Sequence, residues 1–239
     1  MTARRNTLLE LLPESVYANW KFEFEYVDLP MGKVLCEPGS IVSHIYFPTS
    51  AIISWVHVLE NGASTEIAMI GREGLVGFYL LSGAAHSPNR AVVQIAGQAI
   101  RIRLSSVLAS LQEEGMSLQK IFLRFNQVLI TQMAQMAVCN RHHTLDQQLC
   151  RLLLLTLDRQ DGNTINLTHE MIANMLGVRR EGVTNAASRL MKEGGINYSR
   201  GRITVLDTCE LQKRSCECYT VVKKAYDRLK EVPNKLMKY

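Results

Sequence analysis

The stretch from Leu167 to Leu206 constrains the fold of this chain more than any other part of it. Thr168 is a suitable N-cap for a short first helix, and Gly177 is suited to end that helix in the left-handed conformation. Apolar residues at helical spacing predict a second helix from about Arg179 to Glu193. The apolar positions of the two helices are Met171, Ile172, Met175, Leu176, Val183, Ala186, Ala187 and Leu190.

A predicted β-hairpin follows the two helices. Its strands are Ile196–Tyr198 and Ile203–Leu206, and arginines lie in the turn between them. Helix, glycine turn, helix and hairpin form the layout of a winged helix-turn-helix, whose second helix enters the major groove of double-stranded DNA. An ordinary helical hairpin with a solvated basic face is the alternative, and the clustering of charge at the start of the second helix argues against it. The predicted DNA-binding residues are Thr168, His169, Arg179, Arg180, Glu181, Thr184, Asn185, Arg189, Arg200 and Arg202.

Two segments here, LGVRREGVTNAASRLMKEGGI and the following YSRGRITVLD, resemble the DNA-binding domain of the cyclic-AMP receptor protein and FNR (CRP/FNR) family of regulators. The resemblance implies that Arg180 and Glu181 read bases. Asn185 stands where the family usually carries an arginine, and an asparagine suits adenine. The resemblance further implies a bacterial homodimer that acts on DNA together with RNA polymerase.

Composition is consistent with a sensor half joined to a polyanion-binding half. Residues 1–140 carry 10 basic and 11 acidic side chains, whereas residues 141–239 carry 17 and 11.

The sequence has no apolar run of about 18 residues and no signal-peptide pattern at its start, so we expect a cytoplasmic protein without a membrane partner. The six cysteines are dispersed and are expected to be reduced.

The first half consists of short β-prone runs with glycine turns after about Met31, which predicts an antiparallel roll or sandwich. Asn61-Gly62 predicts a hairpin turn, and Ala91–Ala96 is expected to pair with Gln98–Arg103 across Gly97. The family resemblance implies a cyclic-nucleotide-binding-like β-roll. We therefore predict an α+β chain with a roll over 1–115, a dimerisation helix over 116–140 and a winged helix-turn-helix domain over 141–239.

The effector pocket implied by the resemblance departs from the family pattern. Phe78 follows Gly77 where the family has a glutamate, and Arg90 is one place out of step, which in a strand turns a side chain to the other face. We therefore expect no cyclic nucleotide and predict no cofactor; the effector is unassigned. One cysteine before Cys139 cannot hold an iron–sulfur cluster, and single histidines do not indicate haem. The candidate pocket residues are Gly77, Phe78, Asn89, Arg90 and Ala91, and we expect the turn Gly71–Gly74 to carry solvated charges.

A long helix from Ser117 to Asn140 connects the two halves. Its apolar residues recur at alternating spacings of four and three, which is typical of a coiled-coil seam between two copies of a chain. A helix packed on its own β-domain is the alternative, and part of the helix is expected to do this. The predicted interface residues are Leu118, Phe122, Phe125, Leu129, Gln132 and Met136.

The segments on either side of the DNA-binding region give weaker signals. Residues 140–144 are expected to form a solvated hinge, including the histidine pair at 142–143. One helix is predicted from about Glu210 to Lys230, and a basic, mobile tail after Pro233. Cys209, Cys216 and Cys218 lack a paired Cys-x-x-Cys spacing, so we expect unreactive thiols and no metal site.

Together these features predict a homodimeric, sequence-specific DNA-binding transcriptional regulator controlled by a signal sensed through the β-roll. A constitutive repressor or architectural protein with a vestigial pocket is the alternative. No Ser/His/Asp set, metal cluster or phosphate loop in the sequence indicates an enzyme.

Overall fold

The computed structural model describes residues 3–84 and 86–231, so the predicted mobility of the tail after Pro233 falls outside it. The first half begins with two short helices on either side of Pro13 and continues as seven strands. These elements are α1 (Thr7–Glu10), α2 (Glu14–Trp20), β1 (Glu25–Leu29), β2 (Val34–Cys36), β3 (His44–Pro48), β4 (Ile52–Val58), β5 (Ser64–Ile70), β6 (Arg90–Ile95) and β7 (Gly97–Arg103).

Two antiparallel sheets make up the first half, with strand orders β1-β7-β3 and β2-β6-β4-β5. Alternate side chains of both sheets enter one shared hydrophobic core, as expected of antiparallel strands with one buried face. The hairpin predicted at Asn61-Gly62 joins β4 to β5. The predicted antiparallel roll is therefore confirmed.

The pairing predicted across Gly97 was wrong. Strand β6 pairs with β2 and β4, whereas β7 pairs with β1 and β3, so the chain changes sheets at this glycine. A Cβ atom at Gly97 would lie 2.4 Å from the backbone nitrogen of Ala51. Only glycine therefore allows the close backbone approach at this corner between the sheets.

The helical elements that follow lead from the roll to the predicted helix-turn-helix region. Helix α4 ends at His142, and Thr144 then caps the next helix in a capping box with Gln147. No helix within the described ranges combines the length and apolarity needed to cross a bilayer. The helices are α3 (Leu104–Glu114), α4 (Met116–His142) and α5 (Leu145–Leu157).

Helix α4 packs its predicted seam against its own chain. All six predicted interface residues are buried in the single chain, and the side chain of Gln132 bonds to Arg159 and Tyr226. The interpretation of this stripe as a seam between copies is therefore corrected: it is the face that packs on the roll and on a helix near the end of the described chain, Glu217–Lys230. The residues reassigned from a dimer interface to this internal packing face are Leu118, Phe122, Phe125, Leu129, Gln132 and Met136.

The second half contains the predicted helix-turn-helix and wing. The two strands of the wing belong to a three-stranded sheet with the order β8-β10-β9, which lies beside the helices. The first of these helices also packs on β5 of the roll, where a Cβ atom at Gly177 would lie 3.0 Å from Thr65 Oγ1. The elements are β8 (Thr164–Asn166), α6 (His169–Leu176), α7 (Arg180–Lys192), β9 (Ile196–Ser199) and β10 (Arg202–Val205).

The single helix predicted over residues 210–230 is in fact two helices. Helix α8 (Thr208–Arg214) ends at Ser215, and α9 (Glu217–Lys230) begins after Cys216. Both linking residues have extended backbone, so the chain changes direction between the helices. The amphipathic periodicity continues through the break and conceals it in the sequence, because the apolar faces of both helices pack on the same core.

Candidate functional site

The second helix of the motif, α7, has a buried face and an exposed face. Val183, Ala186, Ala187 and Leu190 are buried, as predicted. Gly182 lets α7 approach α5 closely, because a Cβ atom there would lie 2.9 Å from a methyl group of Leu145. The opposite face consists of exposed residues, namely Arg179, Arg180, Glu181, Thr184, Asn185, Ser188 and Arg189.

The turn between α6 and α7 has the predicted local chemistry. The hydroxyl of Thr168 accepts a hydrogen bond from the Met171 amide at 3.2 Å and caps α6. Gly177 ends the helix with a φ of 67°, where its amide donates to the carbonyl of Ala173. The cap and the glycine together fix the angle at which α7 leaves α6.

His169 is half-buried and contacts the exposed Thr184 and the wing, so neither side chain is free of partners. The His169 ring stacks on Tyr198 of the wing with centroids 4.0 Å apart, and its Nδ1 lies 3.0 Å from Thr184 Oγ1. Burial lowers the pKa of His169, and the charge of Arg180 lowers it further. A neutral His169 therefore joins α6, α7 and the wing, and a role in their positioning fits this geometry.

The cations of the exposed face differ in their partners. Arg189 makes two hydrogen bonds to Asp146 of α5, at 2.8 and 2.5 Å, so DNA would have to compete for it. Within the described residues, the side chains of Arg179, Arg180 and Asn185 have no ion pair or side-chain hydrogen bond. These three are the groups best placed to bind an incoming ligand.

The wing presents two further arginines. Arg200 and Gly201 both have positive φ values, 48° and 78°, which make the tight turn between β9 and β10. The side chains of Arg200 and Arg202 are exposed, and no partner is found for either within residues 3–84 and 86–231. The wing, whose strand β9 packs on α7, therefore carries exposed positive charge.

Aromatic side chains pack between the roll and α4, at the predicted effector pocket. Gly77 has a φ of 102° and directs Phe78 toward α4. The Phe78 ring lies 4.8 Å from that of Trp55 and 6.2 Å from that of Phe125, centroid to centroid. Edge-to-face packing of these rings fills the space between the sheet and the helix at this point.

The other predicted pocket residues divide between the two faces of β6. Ala91 is fully buried opposite Trp55, and Asn89 Oδ1 lies 2.8 Å from His57 Nδ1. Arg90 lies on the outer face and donates to Glu37 at 2.8 Å. The five predicted residues therefore do not converge on one site.

A cavity of about 460 Å³ lies between the outer face of the four-stranded sheet and α6. Residues of the roll, including Ser54, Glu66 and Arg90, line one side, and Met171 and Asn174 of α6 line the other. Glu66 is buried and accepts a hydrogen bond from Ser54. Burial raises the pKa of Glu66 to about 7.

The turn Gly71–Gly74 lies at a contact between the two halves. The expectation that its charges are solvated was therefore wrong for Glu73. This carboxylate is buried and accepts a hydrogen bond from Arg159, just after α5, at 2.6 Å. Arg159 also donates to Gln132 of α4 and stacks on Tyr226 of α9. A buried network therefore joins the roll, the long helix and the DNA-binding half.

Sequence reasoning missed one cluster of side chains. Cys139 and His143, at the end of α4, meet Cys216 and Cys218 at the start of α9, whereas Cys209 is exposed and lies apart. His143 is half-buried, which corrects its expected place in a solvated hinge. The two pairs are distant in sequence, and only the unpredicted break between α8 and α9 brings them together.

Comparison with known proteins identifies a domain within the second half of the chain and the fold of most of its length. Residues 147–214 match the model of a Crp-like helix-turn-helix domain. The Global nitrogen regulator of Synechococcus elongatus is 23% identical over 227 residues, which cover 90% of this chain and 99% of that protein.

Two solved structures share the architecture at low identity. FixK2 from Bradyrhizobium japonicum has a TM-score of 0.68 at 14% identity, and the match covers 81% of this chain and 98% of FixK2. A CRP-family transcriptional regulator from Thermus thermophilus has a TM-score of 0.65 at 18% identity, with coverages of 79% and 96%. Likeness at this identity is evidence of a common fold.

Proposed function

Because this chain carries a Crp-like helix-turn-helix domain on the fold of the CRP/FNR regulators, we propose that it is a sequence-specific, DNA-binding transcriptional regulator. It acts by binding DNA and not as an enzyme. Its place of action is the bacterial cytoplasm, where the family resemblance makes RNA polymerase an expected partner.

The observation that carries this proposal is the exposed face of α7. Arg179, Arg180 and Asn185 project from the first half of a helix whose other face is buried. Arginine suits the O6 and N7 atoms of guanine, and asparagine suits adenine, so these groups offer base contacts in the major groove. In this proposal the exposed Arg200 and Arg202 of the wing bind phosphates of the same duplex.

In this proposal two copies pair through the solvent-exposed face of α4 and not through the stripe of buried residues that the sequence predicted. Met116, Leu123 and Ile130 recur every seven residues and are 66%, 61% and 55% exposed. Heptad spacing of exposed apolar residues favours pairing with a second copy of the helix. Two copies of α7 would then read half-sites about one DNA turn apart.

Control by a signal follows from the contacts between the halves. The packing of α6 on β5 and the buried pair of Glu73 and Arg159 join the roll to the recognition helix. A ligand that favours one arrangement of these contacts shifts the position of α7 through its differential affinity. A constitutive repressor with a vestigial pocket is the second candidate, favoured by the aromatic packing around Phe78.

The test is selection of sites by the full-length protein from a pool of random DNA duplexes. We expect enrichment of a near-palindromic site, bound about 10³-fold or more tightly than random duplex at physiological salt. Equal binding of all sequences would overturn the proposal. Repeating the measurement with and without small-molecule extract of the host separates a signal-controlled regulator from a constitutive one.

A further inference from the structure

Three thiols and one imidazole meet at the junction between α4 and α9. Cys139 belongs to the last turns of α4, and His143 follows that helix directly. Cys216 is the N-cap of α9, and Cys218 lies in its first turn. Their four ligand atoms all lie within 4.8 Å of one another, and the three cysteines are buried.

Two distances within this cluster are close to those expected around a single tetrahedral metal ion, and all four ligand atoms are near enough to converge on one. Cys139 Sγ lies 3.5 Å from Cys216 Sγ, and Cys218 Sγ lies 3.6 Å from His143 Nδ1. Zinc–sulfur bonds of about 2.3 Å and zinc–nitrogen bonds of about 2.0 Å place tetrahedral ligand atoms about 3.6–3.8 Å apart. We propose that Cys139, His143, Cys216 and Cys218 bind one zinc ion in a closed, structural Cys₃His site.

The groups around the cluster orient its ligands. His143 Nε2 lies 3.3 Å from a carboxylate oxygen of Glu217, which leaves Nδ1 as the nitrogen that faces the thiols. A carboxylate on the far nitrogen of a metal-binding histidine fixes its tautomer and increases its basicity. The side-chain amide of Gln148 donates to the carbonyls of Cys139 and His143 at 3.4 and 2.9 Å and holds the backbone of both.

Charge provides an independent reason for an anionic centre here. Arg151 is 1% exposed, and its Nε and Nη1 atoms have no hydrogen-bond partner in the described part of the chain. Its charge acts electrostatically on Cys139 and Cys218. Three thiolates around a divalent zinc leave one net negative charge, which offsets the charge of a guanidinium that has no ion pair among the described residues and acts on the buried Glu66 only at longer range.

The same four residues fit the other cysteine chemistries less well. A disulfide between Cys139 and Cys216 would have to close their sulfur separation from 3.5 Å to about 2.05 Å. It would also leave the placement of His143 and Cys218 unexplained. An iron–sulfur cluster is typically held by four thiolates, whereas this set has three and a compact spacing.

The proposed ion would hold the start of α9 against the end of α4. These helices border the segment that leads into the helix-turn-helix, so the ion would fix the orientation of the DNA-binding half relative to the long helix. The inference concerns metal binding alone and stands whether or not the chain binds DNA.

The first experiment is elemental analysis of the full-length protein, purified with reductant and without chelator. We expect about one zinc ion per chain in the wild type and in the control variant Cys209→Ser, whose exposed thiol lies outside the cluster. Cys139→Ser and the double variant Cys216→Ser/Cys218→Ser should lose the zinc. Retention of zinc by the double variant, or no zinc in the reduced wild type, would overturn the assignment.

A second set of measurements does not depend on the folding of these cysteine variants. Cobalt(II) added to the metal-free wild type should give the visible absorption bands of a tetrahedral thiolate complex; an octahedral spectrum would contradict the proposal. Glu217→Gln should weaken zinc affinity about 10–100-fold in a chelator competition while leaving the stability of the metal-free protein unchanged. Free thiols can be blocked chemically while the protein is isolated. A Cys139–Cys216 disulfide found in that protein would indicate that the cluster serves redox chemistry instead of zinc binding.

Discussion

The guanidinium of Arg159 lies 2.6 Å from the carboxylate of Glu73, and both side chains are more than 90% buried. One residue belongs to the turn after β5 of the roll, and the other follows α5 of the DNA-binding half. The pair therefore stabilises the boundary between two parts of the chain that the sequence separates by 86 positions.

Loss of one partner should cost more stability than loss of both. Glu73→Ala leaves the Arg159 charge buried without its carboxylate and should lower the free energy of unfolding by about 3–5 kcal/mol. The double variant Glu73→Leu/Arg159→Met should lose less, because no unpaired charge remains. Urea unfolding measures both. As a control, Asp161→Asn breaks exposed pairs with Arg5 and Arg72 and should cost about 1 kcal/mol or less.

Arg180 should contribute to sequence discrimination. Arg180→Ala removes an exposed guanidinium from the first turn of α7 and should lower affinity for a selected site by about 1–3 kcal/mol more than for random duplex. Fluorescence anisotropy with both duplexes measures the difference. Lys224→Ala, an exposed change on α9, is the control. Equal losses on the two duplexes would remove Arg180 from base reading.

Arg202 should act on phosphates. Because a phosphate contact is independent of sequence, Arg202→Ala should weaken binding to selected and random duplexes alike and reduce the slope of log affinity against log salt by about 1. A series of anisotropy titrations at increasing salt gives the slope. If the slope did not change, the wing would have no part in phosphate binding.

The solvent face of α4 should hold the dimer together. Leu123→Asp or Ile130→Asp places a charge in the exposed heptad stripe and should convert a dimer to a monomer in sedimentation measurements. Ile41→Asp changes a more exposed apolar residue of the roll, 81% accessible, and should leave the dimer intact. A dimer that survived both α4 variants would place the interface elsewhere.

Glu66 should make stability depend on pH. A glutamate in the unfolded chain titrates near 4.5, whereas burial raises the pKa of Glu66 to about 7. Between these values the folded state keeps a proton that the unfolded state has released, so stability falls as pH rises, by about 3 kcal/mol in all. Glu66→Gln should abolish this fall in urea titrations across pH 4.5–8. Glu60→Gln, an exposed change in the adjacent loop, should retain it.

Sequence patterns predicted the local chemistry of the DNA-binding half well. Thr168 and Gly177 begin and end α6 as expected, because a cap and a left-handed glycine depend on neighbouring residues only. The exposed face of α7 was likewise predictable, since helical periodicity separates Val183 and Leu190 from Arg180 and Asn185.

Features that depend on distant contacts were not predictable. The four-and-three spacing of α4 is the same for a helix on its own core and for a coiled coil, so Leu129 and Gln132 were assigned to the wrong neighbour. Gly97 resembled a hairpin turn because the sequence does not reveal that Ala51 passes close by. The Cys₃His cluster depends on a change of direction at Ser215, and short-range spacing rules do not detect it.

The contact of Gly177 with Thr65 has a thermodynamic consequence. Separate domains joined by a hinge commonly melt independently, but here the first helix of the helix-turn-helix lies directly against β5 of the roll. Heating should therefore produce one calorimetric peak whose van't Hoff and calorimetric enthalpies agree, rather than two. A bulky side chain at position 177 or 65 should replace that peak by two, one for the melting of the roll and one for the melting of the helix-turn-helix domain.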